Sequence, residues 1–172
     1  MIELLVVVGL IAIVITLALP YFSALIDRWR VYQGVTALQN VMRFARAQAI
    51  RTNSNVFIQA KSTSCRSLPE DTHNWSCGLT VFQDVNPNKG QDPDDPTLQD
   101  LPEFHALTVM YGPGIGSSAR FSYGPHGAPS TNSSFQVYPT GNSNSRSARV
   151  ICQSSGGRLR VTEDPKCSEL NR

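Results

Sequence analysis

The chain has few charged side chains for its 172 residues, and it has none between Leu4 and Ile26. Basic residues exceed acidic ones by only two, so the net charge of +2 is too small to indicate any partner. The charges are unevenly distributed: residues 84–103 are mainly acidic, whereas the last thirty or so residues are mainly basic.

Motifs for catalysis are also missing. No G-x-S-x-G sequence occurs, and His73, His105 and His126 lie in polar or turn-like contexts without a partner nucleophile. We therefore predict that the protein is not an enzyme and needs no cofactor.

The charge-free run from Leu4 to Ile26 would extend about 35 Å as a helix, enough to cross the core of a bilayer. We predict a transmembrane helix over residues 1–26 and one globular domain, outside the cytoplasm, over residues 27–172. Glu3 lies at the edge of the run and is a candidate functional residue, because a carboxylate is costly inside a membrane. A signal peptide is disfavoured, since no positive segment precedes the apolar run. A simple membrane anchor remains an alternative.

Two hydrophobic periodicities divide the domain. Spacings of three and four residues predict that the helix continues to Asn53 with one apolar stripe: Val31, Val35, Leu38, Met42, Ala45 and Ala49. Beyond it, alternation and turn residues predict short strands over residues 56–60, 79–83, 107–111, 120–123, 135–138, 149–152 and 158–162. The fold class predicted is α+β, with a long helix packed on antiparallel sheets.

The segment 84–102, with four prolines and five aspartates, is predicted to be one long exposed loop. Oxygen-bearing side chains at alternate positions between Asp84 and Asp95 suit calcium. However, Lys89 occupies the position where a calcium loop needs glycine, so a solvated acidic turn is favoured and no metal site is predicted.

Four cysteines lie in the predicted exported part, where they would oxidise: Cys65, Cys77, Cys152 and Cys167. Three pairings are possible, and neighbouring positions favour Cys65 with Cys77 and Cys152 with Cys167. Zinc is the competing use, but no C-x-x-C spacing supports it.

The N-terminal sequence Ile2-Glu3-Leu4 and its apolar continuation resemble the assembly helix of type IV pilins and type II secretion pseudopilins. In that family a basic leader ending in Gly is removed before Phe-Thr-Leu-Ile-Glu-Leu, and the new N-terminus is methylated. Here Met1 stands where the family has Leu, so we expect that the leader belongs upstream of this start. Three further strings, ARAQAIRTNSNVFIQA, CGLTVFQDVNPNKG and VICQSSGGRLRV, are similar to the GspH/FimT class.

This resemblance implies a subunit held in the bacterial inner membrane and then assembled with other pilin subunits into a pilus or pseudopilus. It also implies a role for Glu3, whose family counterpart attracts the N-terminal amine of a neighbouring subunit.

The C-terminal sequence Gly157-Arg158-Leu159-Arg160 is a candidate anion-binding site. On a strand, Arg158 and Arg160 would share one face, and Arg149 on the preceding strand would lie within reach. Each guanidinium suits a phosphate, although an ordinary solvated strand face is the alternative. The motif resembles one implicated in DNA binding by FimT-type minor pilins of naturally transformable bacteria. Few aromatics accompany it, which favours duplex DNA over single strands.

We therefore predict a minor type IV pilin that binds DNA for uptake through Arg158 and Arg160, with help from Gly157 and Arg149. The alternative is a structural minor pseudopilin of a type II secretion system, or a pilus-initiating pilin without DNA binding. A monomeric anchored protein, in which Glu3 is incidental, is the third possibility.

Overall fold

One long helix, α1, precedes eight short strands in the computed structural model, which describes residues 2–61, 73–86, 88, 91–112, 120–163 and 167, without the side chains of residues 14–21. The elements are α1 (Ile2–Thr52), β1 (Val56–Ala60), β2 (Leu79–Gln83), β3 (Thr97–Leu101), β4 (Leu107–Gly112), β5 (Arg120–Tyr123), β6 (Ser134–Pro139), β7 (Arg149–Gln153) and β8 (Leu159–Thr162). The predicted α+β class is confirmed.

The C-terminal half of α1 forms one side of the core. All six residues of the predicted apolar stripe are buried, at 5% exposure or less. The helix ends where Asn53 adopts a left-handed conformation, with φ of 51°, and the amide of Ser54 bonds back to the carbonyl of Ala49. Within the part of the chain that the structure describes, we find no helix long and apolar enough to cross a membrane.

Two antiparallel four-stranded sheets pack against this half of the helix. Their strand orders are β3-β2-β1-β5 and β4-β6-β7-β8, so β8 is an edge strand. Trp75, Tyr111, Phe121 and Phe135 form an aromatic cluster in the core, with ring centroids 5.1 to 6.2 Å apart.

The prediction of one long loop over residues 84–102 is wrong, because β3 lies inside it. Among the described strands it pairs with β2 alone, and its leucines, Leu98 and Leu101, pack partly against the core. Its other residues are polar, and prolines flank it, so the usual signals of a strand are weak. The preceding turn is closed by buried Asp95, whose carboxylate accepts bonds from the amides of Val85 and Asp92 at 2.9 and 3.0 Å.

One disulfide joins Cys152 of β7 to Cys167, with the two Cα atoms 5.8 Å apart. Cys77 is disulfide-bonded as well. Its predicted partner, Cys65, lies outside the described residues.

Candidate functional site

The predicted arginine site lies on the hairpin formed by β7 and β8. A four-residue turn, 154–157, connects the strands and is closed by bonds from the amide of Gly157 to the carbonyl of Ser154, 2.8 Å, and from the amide of Ser154 to the carbonyl of Arg158, 3.1 Å. Cys152 pairs with Arg160 and Gln153 with Leu159 across the hairpin. The tight turn therefore sets which side chains share a face.

Arg149 and Arg160 do not share a face. Residues opposite one another in an antiparallel ladder point to the same side, and neighbours along a strand alternate. Arg160 is opposite Cys152, whereas Arg149 points with Ile151 to the side that carries α1. The expected grouping of Arg149 with Arg160 is thus not found.

Arg149 is instead held locally. Its Nη2 lies 2.9 Å from the Glu163 carboxylate, and its Nη1 donates to the carbonyls of Arg146 and Ala148, at 3.0 and 2.7 Å. Much of its charge and several of its donors are therefore satisfied within the chain, which makes Arg149 a weaker candidate for phosphate than the sequence suggested.

Arg158 and Arg160 are both exposed. Strand β8 begins at Leu159, so Arg158 lies at the end of the turn rather than within the strand. Leu159 packs on the core as expected, but Val161 on the same side is 37% exposed, because it borders an open groove beside α1.

Gly157 has a structural role that the motif alone does not show. Its φ of 76° is left-handed, and a Cβ built on it would lie 2.9 Å from Nη1 of Arg46 and 3.2 Å from the carbonyl oxygen of Gly127. Only glycine lets the guanidinium and a second loop approach so closely.

Arg46 is the residue that sequence reasoning missed. It comes from α1, 111 residues before Gly157, and its Nη1 donates to the Gly157 carbonyl at 3.0 Å. Close by, burial raises the pKa of Tyr123 to about 12, although a hydrogen bond from Gln153 and the positive charge of Arg46 each act to lower it. No local pattern identifies Arg46, because helix and hairpin meet only in the folded chain.

Glu3 lies far from this hairpin along the chain. It is exposed in the first turn of α1, where the positive end of the helix dipole stabilises a carboxylate. The structure therefore places the predicted assembly residue and the predicted arginine site on separate elements.

The fold and these sites can be compared with known proteins. A model of the family described as Type II transport protein GspH matches residues 35–156, more than half of the chain. The chain belongs to the GspH family. This family and its relatives are pilins and pseudopilins, which assemble with other pilin subunits into a pilus or pseudopilus, and they are not known as enzymes.

Solved structures of two such proteins share the fold of this GspH-family chain. One is the type IV minor pilin FimU of Pseudomonas aeruginosa strain PAO1, seen in two crystal forms. In both forms FimU is 19% identical in sequence to this chain. The match to the P21 form has a TM-score of 0.59 and covers 78% of this chain and 90% of FimU. The match to the P65 form has a TM-score of 0.56 and covers 76% of this chain and 91% of FimU. The other is the minor pseudopilin EpsH of the Vibrio cholerae Type 2 Secretion System, which is 14% identical to this chain. This match has a TM-score of 0.50 and covers 77% of this chain and 96% of EpsH. A comparison with curated protein sequences gives no match.

Proposed function

We propose that this GspH-family chain is a minor type IV pilin that binds duplex DNA for uptake through the β7–β8 hairpin. The observation that carries the proposal is that Arg158 and Arg160, two residues apart on this hairpin, are both exposed. A rigid turn presents them, since three hydrogen bonds close residues 154–158.

Arginine suits this role because its planar guanidinium grips a phosphate with two parallel hydrogen bonds. Two such contacts neutralise few phosphates, so we expect weak binding that ignores base sequence and falls steeply with salt. Such weak contacts hold DNA more tightly wherever several of them engage one duplex, since linked weak sites add avidity.

A structural subunit without DNA binding is the second candidate. The ion pair between Arg149 and Glu163 favours this structural role, because it engages one of the three arginines predicted to bind DNA. In that case the hairpin arginines are an ordinary solvated surface, and the role is that of a minor pseudopilin or a pilus-initiating pilin.

Membrane insertion of residues 1–26 before assembly is also part of the proposal. It rests on the charge-free run from Leu4 to Ile26 in the sequence. Trp29 and Tyr32 support it. They stack with centroids 6.1 Å apart and are 60% and 63% exposed just past the run, where aromatic residues mark a membrane surface.

Lipids brominated near the headgroup test this placement. They should quench Trp29 fluorescence in vesicles containing the full chain. The Trp29→Phe variant should lose the quenching, because the remaining Trp75 is fully buried in the domain. Equal quenching in both proteins would place Trp29 away from the lipid.

The DNA proposal is tested with the full chain in detergent micelles and a fluorescent duplex at low salt. Wild type should bind, and Arg158→Gln/Arg160→Gln should lose binding while keeping its thermal midpoint, because both side chains are exposed. Arg30→Gln is a control for loss of positive charge elsewhere in the chain, since it removes an exposed charge from α1, where Arg30 lies 3.7 Å from Asp27. Absence of wild-type binding would favour the structural subunit.

A further inference from the structure

A small basic cleft lies between α1 and the β7–β8 hairpin. Its volume is about 210 Å³, and three arginines line it: Arg43 and Arg46 from the helix and Arg158 from the turn. None of the described residues that line the cleft is acidic. Arg158 lies more than 110 residues after Arg43 and Arg46 in the sequence, so only the fold brings it to them.

We infer that this cleft is a phosphate-binding site, which receives one backbone phosphate of the DNA held by the hairpin. The inference rests on the proposed function and assigns Arg43 and Arg46 to it. Three arginines that line one space, without a carboxylate among the described lining residues, favour an anion with several acceptor oxygens.

The cleft is large enough for a phosphate group. Its volume of about 210 Å³ is several times the roughly 30 Å³ that one water molecule occupies in the liquid. Pockets for small-molecule ligands commonly have about 300–1,000 Å³, so this one is below their range. A group attached to a larger molecule, such as a phosphodiester, enters it without the rest of that molecule.

The guanidinium of Arg46 is held in place before any ligand arrives. It lies between two glycines with left-handed φ: a Cβ on Gly157 would be 2.9 Å from its Nη1, and one on Gly127 would be 3.1 Å from its Nε. Its hydrogen bond to the Gly157 carbonyl uses one of the five N–H donors of the guanidinium. A donor fixed by the fold loses less conformational entropy when it binds, which strengthens a weak phosphate contact.

The neighbouring Tyr123 keeps the floor of the cleft uncharged. Its hydroxyl is neutral at physiological pH, as in an ordinary tyrosine, and burial raises its pKa further, to about 12. The three arginines thus face a neutral surface, and no phenolate competes with an incoming phosphate.

The first test measures duplex affinity of the full chain in detergent micelles. Arg43→Gln should bind about tenfold more weakly than wild type, as expected for loss of a hydrogen bond to a charged group. Arg30→Gln, with the same charge change on the same helix, should bind as wild type does. Because Arg43 and Arg158 share one phosphate, Arg43→Gln/Arg158→Gln should lose less than the product of the two single losses.

Two results of this test overturn the inference. One is equal affinity of the Arg43→Gln and Arg30→Gln variants. The other is a double variant whose loss equals the product of the single losses, which would mean that the two arginines act on separate phosphates.

The second test uses inorganic phosphate and needs no DNA. At constant ionic strength, the Nε–H resonance of Arg46 in the full chain should shift and saturate with phosphate, and Arg43→Gln should weaken the response. If wild type ignores duplex DNA but shows this response, the proposed DNA function fails and the cleft stands as a site for free phosphate. If Arg46 responds to neither probe, the cleft is not a phosphate site.

Discussion

Arg160 lies directly opposite Cys152 in the ladder between β7 and β8, and both side chains project from the same face of the sheet. The disulfide from Cys152 to Cys167 therefore holds Cys167 at the face that carries Arg160. The cross-link and the predicted DNA-binding strand are neighbours, so the disulfide contributes to the local structure of the arginine surface.

Replacing both Cys152 and Cys167 by alanine should lower the free energy of unfolding by about 3 kcal/mol, the chain-entropy value for a loop of this length. Urea unfolding of the full chain in micelles measures this loss. Peptide mapping without reduction should recover both cysteines on one linked fragment. Free thiols at both positions, or an unchanged urea midpoint, would contradict the role given to this disulfide.

Gly157→Ala should destabilise the protein by about 1–3 kcal/mol, because the new methyl group meets Arg46 and the backbone of Gly127 at a left-handed φ. Gly156→Ala is the matched control. Its Cβ would meet only the Ser154 hydroxyl, at 4.0 Å, so its stability should stay the same or rise slightly. Similar unfolding curves for the two variants would show that Gly157 is not constrained in this way.

Tyr123 predicts a loss of stability at alkaline pH. Burial raises the pKa of Tyr123 in the folded chain to about 12, above the ordinary tyrosine value of 10.0, so the unfolded chain loses this proton first. The contribution is complete below pH 10 and is lost as the pH rises toward 12, at about 1.4 kcal/mol per pH unit. Urea unfolding across this range measures the slope, and Tyr123→Phe should make it shallower. An identical slope in the variant would exclude Tyr123 as its cause.

Glu3→Ala should leave the chain in the membrane fraction and abolish its incorporation into filaments. In pilins, which this chain resembles, the corresponding acid attracts the N-terminal amine of a neighbouring subunit. Such a charge pair avoids leaving either ion alone in lipid. Immunoblots of membrane and sheared-filament fractions from the native bacterium measure both steps, with Glu3→Asp as the charge-retaining control. Normal incorporation of Glu3→Ala would remove the assignment.

Hydrophobic periodicity predicted most of the fold, because burial dictates it. The buried stripe of α1 and strands such as β1 and β2 match the residues expected from the sequence alone. Strand β3 was missed because it is an edge strand with one partner and mixed exposure, so its polar residues carry no clear alternation.

The arginine site was only partly predictable, because its geometry depends on register and on contacts between distant segments. The motif correctly indicated that Arg158 and Arg160 are exposed. The pairing of Cys152 with Arg160 then places Arg149 on the other face, which a count of turn residues did not reveal. Arg46 reaches Gly157 only through the packing of α1 on the sheet, and no sequence pattern reports that contact.

The salt dependence of duplex binding tests the central claim most directly, since each phosphate that the protein neutralises releases counterions. Arg158→Gln/Arg160→Gln should reduce the magnitude of the slope of log K against log salt by about 1.8 if two phosphates are released, or by about 0.9 if Arg43 and Arg46 keep the phosphate that they share with Arg158. Arg30→Gln should leave that slope unchanged, and all three proteins should unfold at the same temperature. A double variant with the wild-type affinity and slope, or a wild type that does not bind duplex DNA at low salt, would contradict DNA capture by this hairpin.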